Sequence, residues 1–224
     1  MDVGLQRALA AVGQPCHLLE LEGGGACFVD MNSVRHFVAY VLNTFGLDVL
    51  YTDVDALWLR DPLPSILGAA RGSGMPAGLA ASRGSFPQEL SKSWGATFCT
   101  GVMFWYGRWP GALWARYLSR VLAKGNDQYT FNFFLAELNV SWPGLLRYET
   151  SDEVAYGALL AFGGISLALL PHSGFPRRCD ALPAGGGKDI LISHCYNPKA
   201  ERGPCRRARR LYSQRRWRRT PMAH

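Results

Sequence analysis

The chain has 224 residues, of which 48% are hydrophobic and 18% charged, a balance that fits one packed globular domain and excludes a disordered polymer. Its formal charge of +7 suggests an acidic partner, yet ten Lys and Arg fall between Lys199 and Arg219, against the single acid Glu201. Residues 1–198 carry 14 basic and 16 acidic side chains, which speaks against a nucleic-acid surface spread over the fold. Two regions follow: a globular body over 1–198 and an arginine-rich tail over 199–224.

No window reaches the ~18–20 uninterrupted apolar residues of a membrane-spanning helix. The longest candidate, Tyr156 to Leu170, is broken by Gly157, Gly163, Gly164 and Ser166. The amino terminus lacks the basic-then-apolar layout of a signal peptide, so the chain as written reads as soluble. Six cysteines (Cys16, Cys27, Cys99, Cys179, Cys195, Cys205) include no Cys-x-x-Cys pair, which argues against a structural zinc site and leaves disulfides open.

In chain order, Leu5 to Val12 reads as a short helix, Cys16 to Leu21 as a strand and Gly23 to Gly25 as a loop. Asn32 or Ser33 can cap a helix that runs to about Phe45, with Val34, Phe37, Val38, Val41, Leu42 and Phe45 on one face and Gly46 at its end. Asp48 to Thr52 then reads as a buried strand. From Asp61 to Gly95 the Pro, Gly, Ser and Ala content predicts mostly loop, with a short helix near Leu63 to Ala70 and a short strand near Gly78 to Ala81. Phe98 to Tyr106 is a second core strand. Pro110 opens a helix carrying Leu113, Trp114, Tyr117, Leu118, Val121 and Leu122 as far as Gly125, and another helix spans Gln128 to Leu138. Short strands are expected near Leu167 to Leu170 and Ile190 to Ser193, around a turn at Gly185 to Gly187. Helices alternating with strands imply an α/β, Rossmann-like sheet.

The strongest local signal is Asp53-Val54-Asp55, directly after the strand ending at Thr52. In an extended segment, residues two apart project to the same side, so both carboxylates point one way. Ligands of open α/β sheets bind beyond the carboxyl ends of strands. Two converging carboxylates there suit Mg²⁺ or Mn²⁺, ions held by a few carboxylates together with substrate phosphates. Two acids on a surface turn are the plainer alternative, and the hydrophobic strand leading into them disfavours it.

The run Gly46 to Pro62 (Gly-Leu-Asp-Val-Leu-Tyr-Thr-Asp-Val-Asp-Ala-Leu-Trp-Leu-Arg-Asp-Pro) resembles the signature of the nucleotide-diphospho-sugar transferases of glycosyltransferase family 77. Three later segments resemble that family in the same order. They are Cys99-Thr100-Gly101-Val102-Met103-Phe104, Asn126-Asp127-Gln128-Tyr129-Thr130-Phe131-Asn132 and Ile192-Ser193-His194-Cys195-Tyr196.

The resemblance implies a GT-A fold, a mixed Rossmann-like sheet flanked by helices, that binds a nucleotide sugar, with UDP the expected nucleotide, through a divalent ion, Mn²⁺ or Mg²⁺. It implies sugar transfer with retention to a glycan or glycoprotein acceptor in the Golgi lumen, without a nucleic-acid partner. Asp53, Asp55 and His194 match the metal positions, with a hydrogen-bonded strand-end histidine as the alternative for His194. Asp127 and Gln128 match positions near the transferred sugar, with a helix amino-terminal cap as the alternative for Asp127. Arg35, Thr100, Gly101 and Asn132 fall at donor-binding positions, and Lys199, five residues after His194, is placed to reach the donor phosphates.

Three departures stand out. Arg35 replaces the family's usual lysine, and Cys99 replaces the asparagine of its Asn-Thr-Gly strand, losing the amide's hydrogen bonds. The chain also reads as starting after the first βα unit, and after the membrane anchor through which a Golgi enzyme of this kind meets the membrane. Two other functions remain open: a shortened homologue that binds without catalysing, and nucleic-acid binding through the basic tail.

Overall fold

The computed structural model describes residues 31–124, 126–143, 152–161, 164–177 and 189–194. The expected elements of residues 1–30, the Gly185 to Gly187 turn, Lys199 and the basic tail lie outside the described residues. Helix α1 (Met31–Thr44) leads into strand β1 (Val49–Thr52) and the short β2 (Leu57–Trp58). Helix α2 (Leu63–Gly72), β3 (Gly78–Gly84), α3 (Gln88–Trp94), β4 (Thr97–Tyr106), α4 (Gly111–Lys124) and α5 (Asp127–Glu137) follow. Strands β5 (Ala155–Leu159), β6 (Ile165–Leu169) and β7 (Ile192–Ser193) complete the described chain.

Five strands form one sheet in the order β1-β4-β3-β6-β5. Strand β4 lies antiparallel to both β1 and β3, β3 is parallel to β6, and β5 is antiparallel to β6. The carboxyl ends of β1, β3 and β6 therefore share one rim. β2 and β7 make a separate antiparallel ribbon, with Leu57 opposite Ser193 and Trp58 opposite Ile192.

Side-chain alternation sorts the strands between two apolar layers. On one face, Leu79, Ala81, Phe98, Met103, Trp105, Leu167 and Leu169 pack with Trp114, Tyr117 and Val121 of α4 and Phe131, Phe134 and Leu135 of α5. On the other, Ala80, Val102, Phe104, Tyr106 and Ala168 pack with Ile66, Ala69 and Ala70 of α2. Helices thus cover both faces of a mixed sheet, the α/β architecture that the alternation predicts.

The largest correction concerns residues 61–95. The helix expected near Leu63 to Ala70 and the strand near Gly78 to Ala81 are there as α2 and β3, but β3 runs on to Gly84 at the centre of the sheet, and α3 stands where loop was expected. Strand β3, Gly-Leu-Ala-Ala-Ser-Arg-Gly, is buried at every residue. It lies between two helical layers, where small side chains fit and no polar face is needed, so it lacks the period-two signal. Its Arg83 is buried as well, with Nε donating to the Leu170 carbonyl (3.0 Å) and Nη2 to that of Glu153 (2.7 Å). Burial pulls the Arg83 guanidinium down to about 10.

Two smaller differences concern ends and edges. Helix α1 already runs at Met31, where the described residues begin, so Asn32 and Ser33 lie within it. Its carboxyl end falls near the expected place, with Gly46 at φ +80°, a conformation that glycine tolerates and other residues resist. Strand β5 had no counterpart in the sequence reading. It forms the sheet edge beside β6 and is bridged on its other side by Ser141 opposite Ala158.

Candidate metal centre and sugar-nucleotide site

β1 is in register with β4, with Val49 opposite Trp105 and Thr52 opposite Val102. One residue beyond, the Asp53 N–H donates to the Gly101 carbonyl at 2.8 Å. This bond carries Asp53 to the carboxyl rim and aims it over Gly101. The chain then turns, with the Ala56 N–H bonded to the Asp53 carbonyl at 3.0 Å, before entering β2. Because β2 pairs with β7, the residue after β7, His194, is delivered beside the turn.

Asp53, Asp55 and His194 each offer a ligand atom within 4.8 Å of the others. His194 Nε2 is 3.3 Å from Asp53 Oδ2 and 3.0 Å from Asp55 Oδ1. The floor beneath them admits only glycine. A methyl group on Gly101 would overlap the His194 ring and stand 2.7 Å from Asp53 Oδ2. Two carboxylates with one imidazole form a donor set that suits a divalent cation.

A second cluster adjoins the first. Arg35, on α1, donates from Nη1 to Tyr51 Oη (2.7 Å) and Asp53 Oδ1 (2.5 Å). Its Nη2 reaches Thr100 Oγ1 (3.3 Å) and pairs with Asp127 Oδ2. The guanidinium carbon lies 4.9 Å from the Tyr51 ring centroid, a cation–π contact. Tyr51 Oη is 2.6 Å from Asp53 Oδ1, and burial together with that carboxylate pushes its hydroxyl up to about 12.

Asp127 Oδ2 also lies 3.1 Å from His36 Nε2, whose Nδ1 is 3.3 Å from Tyr117 Oη. Burial, reinforced by the charge of Arg35, drives His36 down to about 3. A neutral ring explains both bonds: Nε2–H donates to Asp127, and Nδ1 accepts from Tyr117. Asn126, rather than Asp127, caps α5, its side chain accepting from the Tyr129 N–H at 2.9 Å. The cap alternative for Asp127 is thereby excluded, and its carboxylate is turned into the site.

Arg35, Asp53, Asp55, Thr100, Gly101, Asp127 and His194 thus come together. The side chains of Gln128 and Asn132 are engaged elsewhere. Gln128 Nε2 donates to the Phe86 carbonyl at 2.8 Å. Asn132 is fully buried and binds both backbone groups of Phe98, accepting at 2.8 Å and donating at 2.9 Å. It braces α5 against β4.

His36, Tyr51, Tyr117 and Arg177 escaped the sequence reading. The Arg177 guanidinium approaches His194, with Nη1 2.5 Å from Nδ1 and 3.1 Å from Nε2. The only signal for it was a Pro-Arg-Arg run in a stretch without periodicity. Cys99, fully buried, places Sγ 3.7 Å from His194 Nδ1. Burial alone would raise its thiol, but the His194 hydrogen bond and the nearby Arg177 charge hold it below the ordinary value.

A mixed sheet covered on both faces, with a carboxylate and histidine site at its carboxyl rim, is the GT-A-like architecture of sugar-nucleotide enzymes. The family model described as nucleotide-diphospho-sugar transferase matches residues 1–220, and the chain belongs to that family. No curated protein and no solved structure matches it. Among the described residues, no helix is long and apolar enough to cross a membrane.

Proposed function

We propose that this member of the family is a divalent-cation-dependent glycosyltransferase of the family 77 kind. In this reading it transfers a sugar, with retention, from a UDP-sugar to a glycan or glycoprotein acceptor in the Golgi lumen. The observation that carries the proposal is the convergence of Asp53, Asp55 and His194 above Gly101, at the rim where a sheet of this kind receives its ligand.

Asp53, Asp55 and His194 would hold Mn²⁺ or Mg²⁺. When bound, the ion supplies a Lewis acid for the departing diphosphate, so no protein group has to protonate it. Arg35 neutralises the second Asp53 oxygen and links it to Asp127, so the metal half and the sugar half of the site keep a fixed spacing. Asp127, its side chain 9% exposed and anchored through Oδ2, presents a carboxylate that can hold sugar hydroxyls or face the positive charge that develops at the anomeric carbon. Thr100 offers its hydroxyl beside Arg35. Gln128 and Asn132 serve by holding the Phe86 loop and β4 in place. No side chain is assigned as a covalent nucleophile.

The test is a panel of nucleotide sugars incubated with and without Mn²⁺, scored by release of nucleotide diphosphate, on this chain and on a version extended upstream. Release is expected with Mn²⁺ only. Activity that survives Asp53→Ala and Asp55→Ala unchanged would contradict the assignment. A binding-only homologue is the second reading. It is favoured by one observation, the thiol of Cys99 beneath His194 where the family motif carries an amide. Nucleotide-sugar binding without release, in both versions of the chain, would decide for it.

A further inference from the structure

We infer that Arg177, set against His194, is a diphosphate-binding residue that makes cation and diphosphate binding mutually dependent. The inference rests on the donor reading above and adds to it a residue that nothing in the sequence pattern singled out.

Arg177 closes the turn that follows β6 and is half-buried against the site. Among the described residues its hydrogen-bond partner is the His194 ring, and no described carboxylate pairs with it. A guanidinium has donors only, so it approaches an imidazole through the unprotonated nitrogen. Nη1 stands nearer Nδ1 (2.5 Å) than Nε2 (3.1 Å), and Nε2 is the nitrogen that faces Asp53 and Asp55, so a cation held with those carboxylates would take Nε2 with the Arg177 charge 3.1 Å from that atom. Arg177 and a divalent ion would therefore be like charges set against one imidazole ring.

The formal charges of the described side chains add force to this opposition. Asp53, Asp55 and Asp127 are opposed by Arg35 and Arg177, which leaves one net negative charge for an incoming dication. Once the ion is seated beside His194, the guanidinium meets a like charge at short range and turns away from the ring. The anion that accompanies the ion is the donor's diphosphate, and a guanidinium fork matches phosphate oxygens in a bidentate fashion. Arg177 thereby exchanges one partner, the imidazole, for another, the diphosphate. Each ligand favours the other, because the ion frees the arginine and the diphosphate restores the charge balance. Such coupling is reciprocal.

Calorimetry on the full chain separates the alternatives, with three probes: Mn²⁺ alone, inorganic pyrophosphate with saturating Mn²⁺, and UDP with saturating Mn²⁺. Arg177→Gln is expected to bind Mn²⁺ alone at least as tightly as wild type. It should bind Mn²⁺–pyrophosphate and Mn²⁺–UDP about 10- to 100-fold more weakly, the loss of a charged hydrogen-bonding pair. Arg177→Lys should recover part of that loss and keeps the test valid if the glutamine variant folds poorly. Diphosphate affinities within about twofold of wild type in both variants would overturn the inference while leaving the donor reading intact. A proportional loss for Mn²⁺ alone would overturn it too, reducing Arg177 to a prop for His194. Wild-type protein that takes up neither Mn²⁺–pyrophosphate nor Mn²⁺–UDP would overturn the donor reading, and this inference with it.

Discussion

Asp55 and Asp127 stand at the two ends of one site and are held in opposite ways. The Asp55 side chain is 53% exposed, and among the described residues its ion-pair partner is His194. Asp127 is 9% exposed, with Oδ2 shared by Arg35 and by a histidine buried against Trp105 and Tyr117. The two histidines repeat the contrast. His194 faces carboxylates at a strand end, whereas His36 is enclosed by aromatic rings that force it to stay neutral. A half-exposed carboxylate beside an imidazole and a second carboxylate can take a cation. A carboxylate fastened by internal donors keeps one orientation, as a group facing a reacting carbon must.

Substitutions can break this contrast. The largest effect is expected at the open end, where Asp53→Asn and Asp55→Asn should each lower Mn²⁺-dependent release of nucleotide diphosphate by about 10²- to 10³-fold. Mn²⁺ titration followed by electron paramagnetic resonance should show the bound ion lost in the same variants. At the fastened end, Asp127→Asn should lower kcat by about 10²-fold while the affinity for Mn²⁺–UDP stays within about threefold. An equal loss of both quantities would erase the division of labour between the two ends. Gly101→Ala pushes the His194 ring off its place without touching a ligand, and should weaken Mn²⁺ binding by about 10-fold. A circular-dichroism melt close to wild type would show that the sheet survives.

The smallest effect concerns pH and stability. The unfolded chain protonates His36 near its ordinary 6.5, whereas the folded protein resists protonation down to about 3. The unfolded state therefore binds more protons throughout that window. Stability from the neutral ring is complete above the upper value and declines as pH falls towards the lower one. His36→Gln removes this contribution, so the difference in urea-unfolding free energy between about pH 7.5 and about pH 5 should shrink in the variant.

The parts of the fold that were legible are those in which a side-chain pattern reports one environment. Helices α4 and α5 and strands β1 and β4 fall within a few residues of expectation, since apolar spacing marks α4 and a continuous apolar run marks the buried β4; β1 stands where expected, but as a half-buried edge strand rather than a buried one. Strand β3 was legible only in its first half, near Gly78 to Ala81. Its seven buried residues hold one Leu and one Arg among Gly, Ala and Ser, and the small ones look like a loop until layers on both sides account for their size. Asn132 shows the same limit within the site. Its place in the motif suggested the donor, but α5 leans on β4 in such a way that its amide closes on the Phe98 backbone instead.

The sequence by itself determined that a strand delivers Asp53 and Asp55 to its carboxyl end, because a hydrophobic run is a local property of the chain; the two carboxylates converge through the turn closed by the Ala56 N–H on the Asp53 carbonyl, not through extended alternation. It determined the family too, through four segments in order, and the family model matches residues 1–220. Only the tertiary structure decided which groups share each carboxylate. The β2–β7 ribbon brings His194 to Asp55, and α1 carries Arg35 and His36 to Asp127. The turn after β6 sets Arg177 upon His194. Hydrogen bonds and ion pairs act over a few ångströms between residues far apart in the chain, and no local pattern records distances of that kind.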